Sequence, residues 1–163
     1  MKIRKSKKED LERMMEIYAH ARDFMAKTGN PRQWGKTGWP TEERIRQDQE
    51  EGNGYVCEEN GEIVGTFYFR FGENPEPCYQ TISGAWTADP PYGVVHRIAA
   101  GRRRRGVGGF CLNYALHACG HLRIDTHPSN RPMRALLQKL GFSMRGVIYV
   151  EEDDMPRYAY EKI

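Results

Sequence analysis

No stretch of this 163-residue chain approaches 18 consecutive apolar residues, the minimum that a membrane-spanning helix requires. The first residues, Met1 to Lys8, are basic and polar rather than apolar like a secretory leader, so a cytoplasmic location and no membrane partner are expected. Cysteine is sparse. Cys57, Cys78, Cys111 and Cys119 include no Cys-x-x-Cys pair, which excludes a zinc ribbon and argues for reduced thiols rather than a disulfide framework. An excess of either charge is also small. Twenty-five basic residues face 22 acidic ones, and a net +3 does not by itself imply nucleic acid. Repeats, low-complexity tracts and linkers are missing, so residues 1–163 read as one domain.

Two well-known phosphate-binding patterns are absent as well. Nothing matches Gly-x4-Gly-Lys-Ser/Thr. The segment Gly106-Val107-Gly108-Gly109-Phe110-Cys111 fails the dinucleotide pattern Gly-x-Gly-x-x-Gly at its last position.

Periodicity and turn chemistry lay out a single α/β chain. Lys2–Lys5 reads as a short strand. Ser6 with Glu9 has capping-box spacing and opens a helix whose apolar face carries Leu11, Met14, Met15, Tyr18 and Ala21 up to about Lys27. A loop with Trp34 and Trp39 follows, then a helix capped by Thr41. Asn60-Gly61 predicts a hairpin between 54–59 and 62–71. Residues 82–86 add irregular extended chain, and Tyr92–Ala100 reads as a strand. Beyond it come a helix through Phe110–Leu116, a strand at Leu122–Thr126, a helix from Pro132 to Leu140 capped by Asn130 and ended by Gly141, and a closing strand pair.

Between the strand at 92–100 and its following helix stands Arg102-Arg103-Arg104-Arg105-Gly106-Val107-Gly108-Gly109. A glycine-rich strand-to-helix turn directs free N–H groups outward at the positive end of a helix, which suits phosphate. Arg103, Gly106 and Gly108 satisfy Arg/Gln-x-x-Gly-x-Gly/Ala, and Leu136-Leu137-Gln138-Lys139-Leu140-Gly141-Phe142 is similar to Leu-Tyr-x-Lys-x-Gly-Phe. With the order of elements, these segments resemble the GNAT superfamily of acyl-CoA-dependent N-acyltransferases.

The resemblance implies an α/β (α+β) fold with a mixed, mostly antiparallel central sheet flanked by helices. It implies acetyl-CoA as co-substrate and no metal. Coenzyme A would be held by Arg103, Arg104, Arg105, Gly106, Val107, Gly108 and Gly109, by the strand end Ile98, Ala99 and Ala100, and by Asn130. It would enter between the strands at 92–100 and 121–127. The activity implied is acetyl transfer to a small-molecule or peptide amine by direct attack. A catalytically inactive CoA-binding sensor module stays open, because Leu137 stands where the family often has a proton-donating tyrosine. A nucleic-acid protein using Arg102 to Arg105 is a third reading. A homodimer is also open.

An ammonium has no lone pair, so acetyl transfer needs a base. His96 is the candidate, and strand alternation places it on one face with Val94, Ile98 and Ala100. Tyr149 is the candidate acid. Trp34 and Trp86 are candidate walls of an acceptor pocket, while Trp39-Pro40 would fix entry to the second helix. His117 and His121 have i, i+4 spacing, but Gly120 breaks their shared face and argues against a metal site. Asp125 and Thr126 would border the cleft. Cys111 and Cys119 read as packing residues rather than nucleophiles. Glu151 to Asp154 read as a solvated turn.

Overall fold

Alternating apolar residues pair into one twisted sheet of eight strands among the described residues. The structure is a computed structural model describing residues 1–163 except Lys36, Arg103, Glu151 and Glu152. In chain order the elements are β1 (Lys2–Lys5), α1 (Leu11–Lys27), α2 (Glu42–Glu50), β2 (Gly54–Glu59), β3 (Glu62–Gly72), β4 (Ser83–Gly84), β5 (Tyr92–Ala100), α3 (Val107–Cys119), β6 (Leu122–Thr126), α4 (Arg131–Lys139), β7 (Ser143–Tyr149) and β8 (Pro156–Lys162). The sheet order is β1-β2-β3-β5-β6-β8-β7-β4. Every neighbouring pair is antiparallel except β5 with β6.

Both faces of the sheet are covered, which is why its central strands carry apolar side chains in both directions. On one face α3 and α4 bury Val107, Leu112 and Leu137 against Phe67, Val95 and Ile124. On the other face α1 and α2 bury Met14, Ile17, Tyr18 and Ile45 against Val56 and Ala99. A 3-10 turn, Pro77–Thr81, covers the remainder of that face, with Tyr79 seated among Tyr68, Tyr92, Val94 and Ile148.

Local chemistry accounts for most element boundaries. The Thr41 hydroxyl accepts the Arg44 N–H and starts α2. The Asn130 side chain accepts the Met133 N–H and starts α4, with Pro132 in its first turn. Gly120, at φ +70, ends α3 as its position suggests. The Ser6–Glu9 capping box does not form. A 3-10 turn, Lys8–Asp10, precedes α1, and Asp10 Oδ2 accepts the Lys7 N–H at 2.7 Å instead. The Ser6 N–H pairs with the Gly54 carbonyl, which ties this turn to β2.

Candidate functional site

The parallel contact of β5 with β6 is brief. Gly93 pairs with Leu122 and Val94 with Arg123, and pairing stops there. Beyond this point β5 stays with β3 while β6 stays with β8. The two strands therefore part, and the β6-facing edge of residues 95–100 has no ladder partner among the described residues. A cleft of about 470 Å³ opens between them. Val95, His96, Arg97 and Ile98 line one side, and Ile124, Asp125 and Thr126 line the other. Side chains of both sheet faces contribute, so the opening runs through the sheet.

One end of β5 leads directly to the amino terminus of α3. The Gly106 conformation, φ +81, turns the chain into the helix, and a Cβ there would meet nothing within 4 Å but would strain the backbone. Gly108 has a different constraint from the one its place in the motif suggests. Its ideal Cβ would stand 3.1 Å from a Leu136 methyl, so it permits close packing of α3 on α4. Unlike α2 and α4, α3 has no side-chain cap, and unlike α2 it has no acidic residue in its first turn. Its first amides are available to an anion at the positive end of the helix. Arg105 is exposed beside this turn, and Arg104 pairs with Glu59 at 2.8 Å. Arg103 lies outside the described residues. The uncapped turn, the basic flank and the unpaired strand edge together fit a diphosphate carrying an extended arm, as coenzyme A does.

The alternation expected along β5 fails at Arg97. Thr66 faces Ala99, but Tyr68 faces His96, so β5 holds one more residue than β3 over this interval. Arg97 sits at φ +48, uncommon for a side chain of its size. Three contacts hold it there. Its guanidinium forks onto Asp48 at 2.8 and 2.9 Å, its carbonyl accepts the Tyr18 hydroxyl at 2.8 Å, and it lies 4.5 Å over the Tyr68 ring. The bulge reverses the faces. Val94 packs with Tyr68 and Tyr79, whereas Ile98 and Ala100 pack with Val95 on the α3 side. His96, stacked on Tyr68, is thus on the face opposite Ile98 and Ala100, and the expectation of a shared face is corrected.

His96 lies within a network that includes Glu76, which periodicity does not single out. Nε2 stands 2.7 Å from Glu76 Oε2. Nδ1 is 3.7 Å from Asp125 Oδ2, beyond hydrogen-bond reach. Asp125 in turn accepts the hydroxyl of fully buried Tyr79 at 2.6 Å. Burial acts against a charge on Glu76, but the His96 hydrogen bond and charge, with bonds from Cys78, outweigh it and hold the carboxyl at about 2. Burial pushes Asp125 up, with His96 and the Tyr79 hydroxyl acting in the other direction. With its hydrogen on Nε2 directed at Glu76, a neutral His96 ring keeps a lone pair on Nδ1 inside the cleft.

The other candidates divide between the cleft and the scaffold. Trp34, 7% exposed, lines the cleft and meets Tyr18 edge-on. Trp86 does not reach it. Its indole donates to the Tyr79 carbonyl and stacks on Arg123 at 4.3 Å, so it packs behind the Pro77–Thr81 turn. Tyr149 ends β7 opposite Pro156, is 62% exposed and is not part of the cleft lining. Asn130 does line the cleft, but both side-chain atoms are engaged. Oδ1 caps α4, and Nδ2 donates to Gln33 Oε1 at 3.1 Å. Gln33 also accepts from Asn30, so this bridge ties the Trp34 loop to α4. Leu137 is fully buried in the α3–α4 core.

His117 and His121 do not converge. His117 faces the Asn113 carbonyl within α3, whereas His121 pairs with Glu161 at 2.8 Å. Among the described residues no group of three or more His, Cys, Asp or Glu is placed to hold a metal ion. Cys111 is buried against Cys57, whose sulfur, together with burial, pushes its thiol up. Cys119 is pushed up by burial as well. Neither thiol is activated as a nucleophile. Asp153 pairs with Arg157, and Glu151 and Glu152 of the supposed solvated turn lie outside the described residues. No helix among the described residues is long and apolar enough to cross a membrane.

Comparison with known proteins agrees with this geometry. The model of the acetyltransferase (GNAT) family matches residues 11–142. A GNAT-family acetyltransferase from Streptococcus agalactiae 2603 is 31% identical with a TM-score of 0.89, over 99% of this chain and 94% of its own. A GNAT-family acetyltransferase from Listeria monocytogenes 4b F2365 shares the fold at 17% identity, with a TM-score of 0.70 over 99% of this chain and 93% of its own. A ribosomal-protein-alanine N-acetyltransferase from Brucella melitensis shares it at 18% identity, with a TM-score of 0.67 over 100% and 99%. No curated protein matches the chain.

Proposed function

This chain belongs to the acetyltransferase (GNAT) family, and from that premise we propose that it transfers an acetyl group from acetyl-CoA to an amine by direct attack, with His96 as base. The carrying observation is the parting of β5 and β6 beside an uncapped α3 amino terminus. Main-chain N–H groups at 106–109 and Arg105 hold the diphosphate, and the open edge of β5 receives the pantetheine arm. Acetyl-CoA supplies an acyl group activated as a thioester.

The acceptor approaches from the Trp34 and Tyr68 side of the cleft. His96 Nδ1 takes one proton from the ammonium, while Glu76 keeps the ring oriented through Nε2. The nitrogen lone pair then forms the N–C bond as the C–S bond breaks. Nitrogen's second proton passes to the leaving sulfur, so the products are the amide, CoA thiol and one proton held by His96 and released to solvent. A main-chain N–H near Ile98 to Ala100 meets the negative charge that builds on the carbonyl oxygen. The buried Leu137 takes no part in proton transfer.

Calorimetric titration of the intact protein with acetyl-CoA and CoA, paired with thiol release over an amine panel, tests the reading. Association with turnover supports it. Association without turnover on any amine reduces the protein to a CoA-binding module. No association at millimolar ligand overturns the assignment.

A further inference from the structure

Four arginines among the described residues line the cleft, and three of them are neutralised. Arg44 pairs with Asp48 at 2.9 Å and stands 3.8 Å from Glu51. Arg97 shares Asp48, and Arg157 pairs with Asp153. Arg70 lines the same cleft and is exposed, with no carboxylate partner among the described residues. It follows Tyr68 by two residues on β3, so both side chains leave the same face of the strand. Tyr68 faces His96 across the ladder and Arg70 faces Val94, which makes Arg70 and His96 diagonal neighbours about 7–8 Å apart at the backbone.

Tyr68 lines the same cleft, and Arg70 is close enough for its charge to act on the Tyr68 hydroxyl. A guanidinium only donates, and a protonated phenol has an O–H to donate, so both groups offer donors to the cleft. Burial pushes the Tyr68 hydroxyl up, and the nearby Arg97 and Arg70 charges only partly oppose that, so it stays a donor at neutral pH. The result is a guanidinium N–H and a phenol O–H side by side, one ladder step from the His96–Glu76 pair. Two adjacent donors, one of them charged, match a carboxylate.

We propose that the acceptor is a zwitterionic amino acid, its carboxylate held by Arg70 and the Tyr68 hydroxyl and its ammonium directed at His96. This rests on the acetyl-transfer reading above and narrows its acceptor to one chemical class. A polyamine or an aminoglycoside would leave the guanidinium facing a cation. An amino acid satisfies both ends within the reach of two neighbouring side chains.

Thiol release from acetyl-CoA with matched acceptor sets provides the test. Each set contains a free amino acid, its α-carboxamide and the amine lacking the carboxyl group, with spermidine and kanamycin as outside comparators. The free acid is expected to exceed its amide by about 10- to 100-fold in kcat/KM, the span of a hydrogen bond to a charged group. Arg70→Gln should collapse that ratio to near unity through KM, while acetyl-CoA association by calorimetry and the melting temperature stay at wild-type values. Arg70→Lys should restore part of it, keeping charge without the fork. Equal use of acid and amide, preference for spermidine or kanamycin, turnover of no free acid, or an acid preference that survives Arg70→Gln overturns the proposal. Because acetyl-CoA association is read separately, such a result leaves the enzyme assignment standing, whereas failed association removes both.

Discussion

Two histidines of this molecule each sit against a glutamate, and their surroundings give them different capacities. His96 and Glu76 are 2.7 Å apart and their side chains are 19% and 25% exposed at the cleft. His121 and Glu161 are 2.8 Å apart, but their side chains are 10% and 1% exposed. His121 is saturated, with Nδ1 at the Pro91 carbonyl and Nε2 at Glu161. Glu161 also receives the Thr87 N–H at 2.7 Å and the Thr87 hydroxyl at 2.5 Å. Burial opposes the charge on Glu161, and the Thr87 bonds with His121 overcome it and hold the carboxyl below its usual range. The cleft pair leaves Nδ1 without a hydrogen bond. The residue types are the same, yet one pair leaves a ring nitrogen open to the cleft and the other fastens the 85–91 loop to β8.

The sharpest way to break this comparison is to truncate each histidine. His96→Ala should lower acetyl transfer by about 10²- to 10⁴-fold, the range for loss of a general base, with little change in melting temperature. Thiol-release kinetics beside a thermal scan will show whether activity and stability separate. If His96→Ala unfolds the protein as readily as His121→Ala, the cleft pair is merely a second staple.

At the buried pair, Glu161→Ala leaves His121 and Arg123 without their carboxylate. Removing one member of a buried ion pair costs about 3–5 kcal/mol, which for this size of domain lowers the melting temperature by roughly 10 °C. Urea denaturation at neutral pH measures it, and a loss under about 1 kcal/mol, the level of an exposed pair, would show that the seal is weaker than its burial implies.

Acid titration separates the pairs further. The Glu76 carboxyl sits at about 2 in the folded protein against an ordinary 4.5. A depressed carboxyl stabilises the fold above its ordinary value, and that contribution is lost as pH falls from about 4.5 toward about 2. Glu76→Gln should therefore flatten the wild-type fall in melting temperature over this window. An unchanged acid profile would mean that the Glu76–His96 contact does not persist in solution.

The smallest effect is expected at Asp125. Its carboxyl is raised by burial, so its contribution is largest while protonated and declines as pH rises through the folded value. Asp125→Asn still accepts the Tyr79 hydroxyl but cannot ionise. It should match or slightly exceed wild-type stability, by less than about 1 kcal/mol, with the difference growing as pH rises from the ordinary value of 3.8 toward the raised one. A marked loss in differential scanning calorimetry would show that the charge of Asp125 is needed in place.

Much of this was legible in the residues. Helix caps at Thr41 and Asn130, the Asn60-Gly61 hairpin and the Gly120 stop are local devices, and each acts where its chemistry places it. The Ser6–Glu9 spacing misled because a 3-10 turn shifts the cap to Asp10. Glu76 lies in a Pro- and Glu-rich connection with no periodicity to mark it, and its partner is 20 residues away. Trp86 and Tyr149 are candidates on residue type, with no periodicity behind them. One is taken up by Tyr79 and Arg123, and the other faces outward at the end of β7.

The amino-acid order alone determined the glycine turn, the uncapped helix behind it and the strands that lead there, because those rest on contacts between near neighbours in the chain. The bulge at Arg97 carries no local signal. It exists because Asp48 and Tyr18, 49 and 79 residues distant, hold an unfavoured backbone angle from outside. That single extra residue puts His96 on one face and Ile98 on the other. Tertiary packing also brought Arg97 onto Asp48, whereas Arg44 and Arg157 meet carboxylates four residues away along the chain, and it left Arg70 facing the opening without a carboxylate among the described residues. Charge pairing across 49 residues is a property of three-dimensional proximity, and no spacing along the chain encodes it.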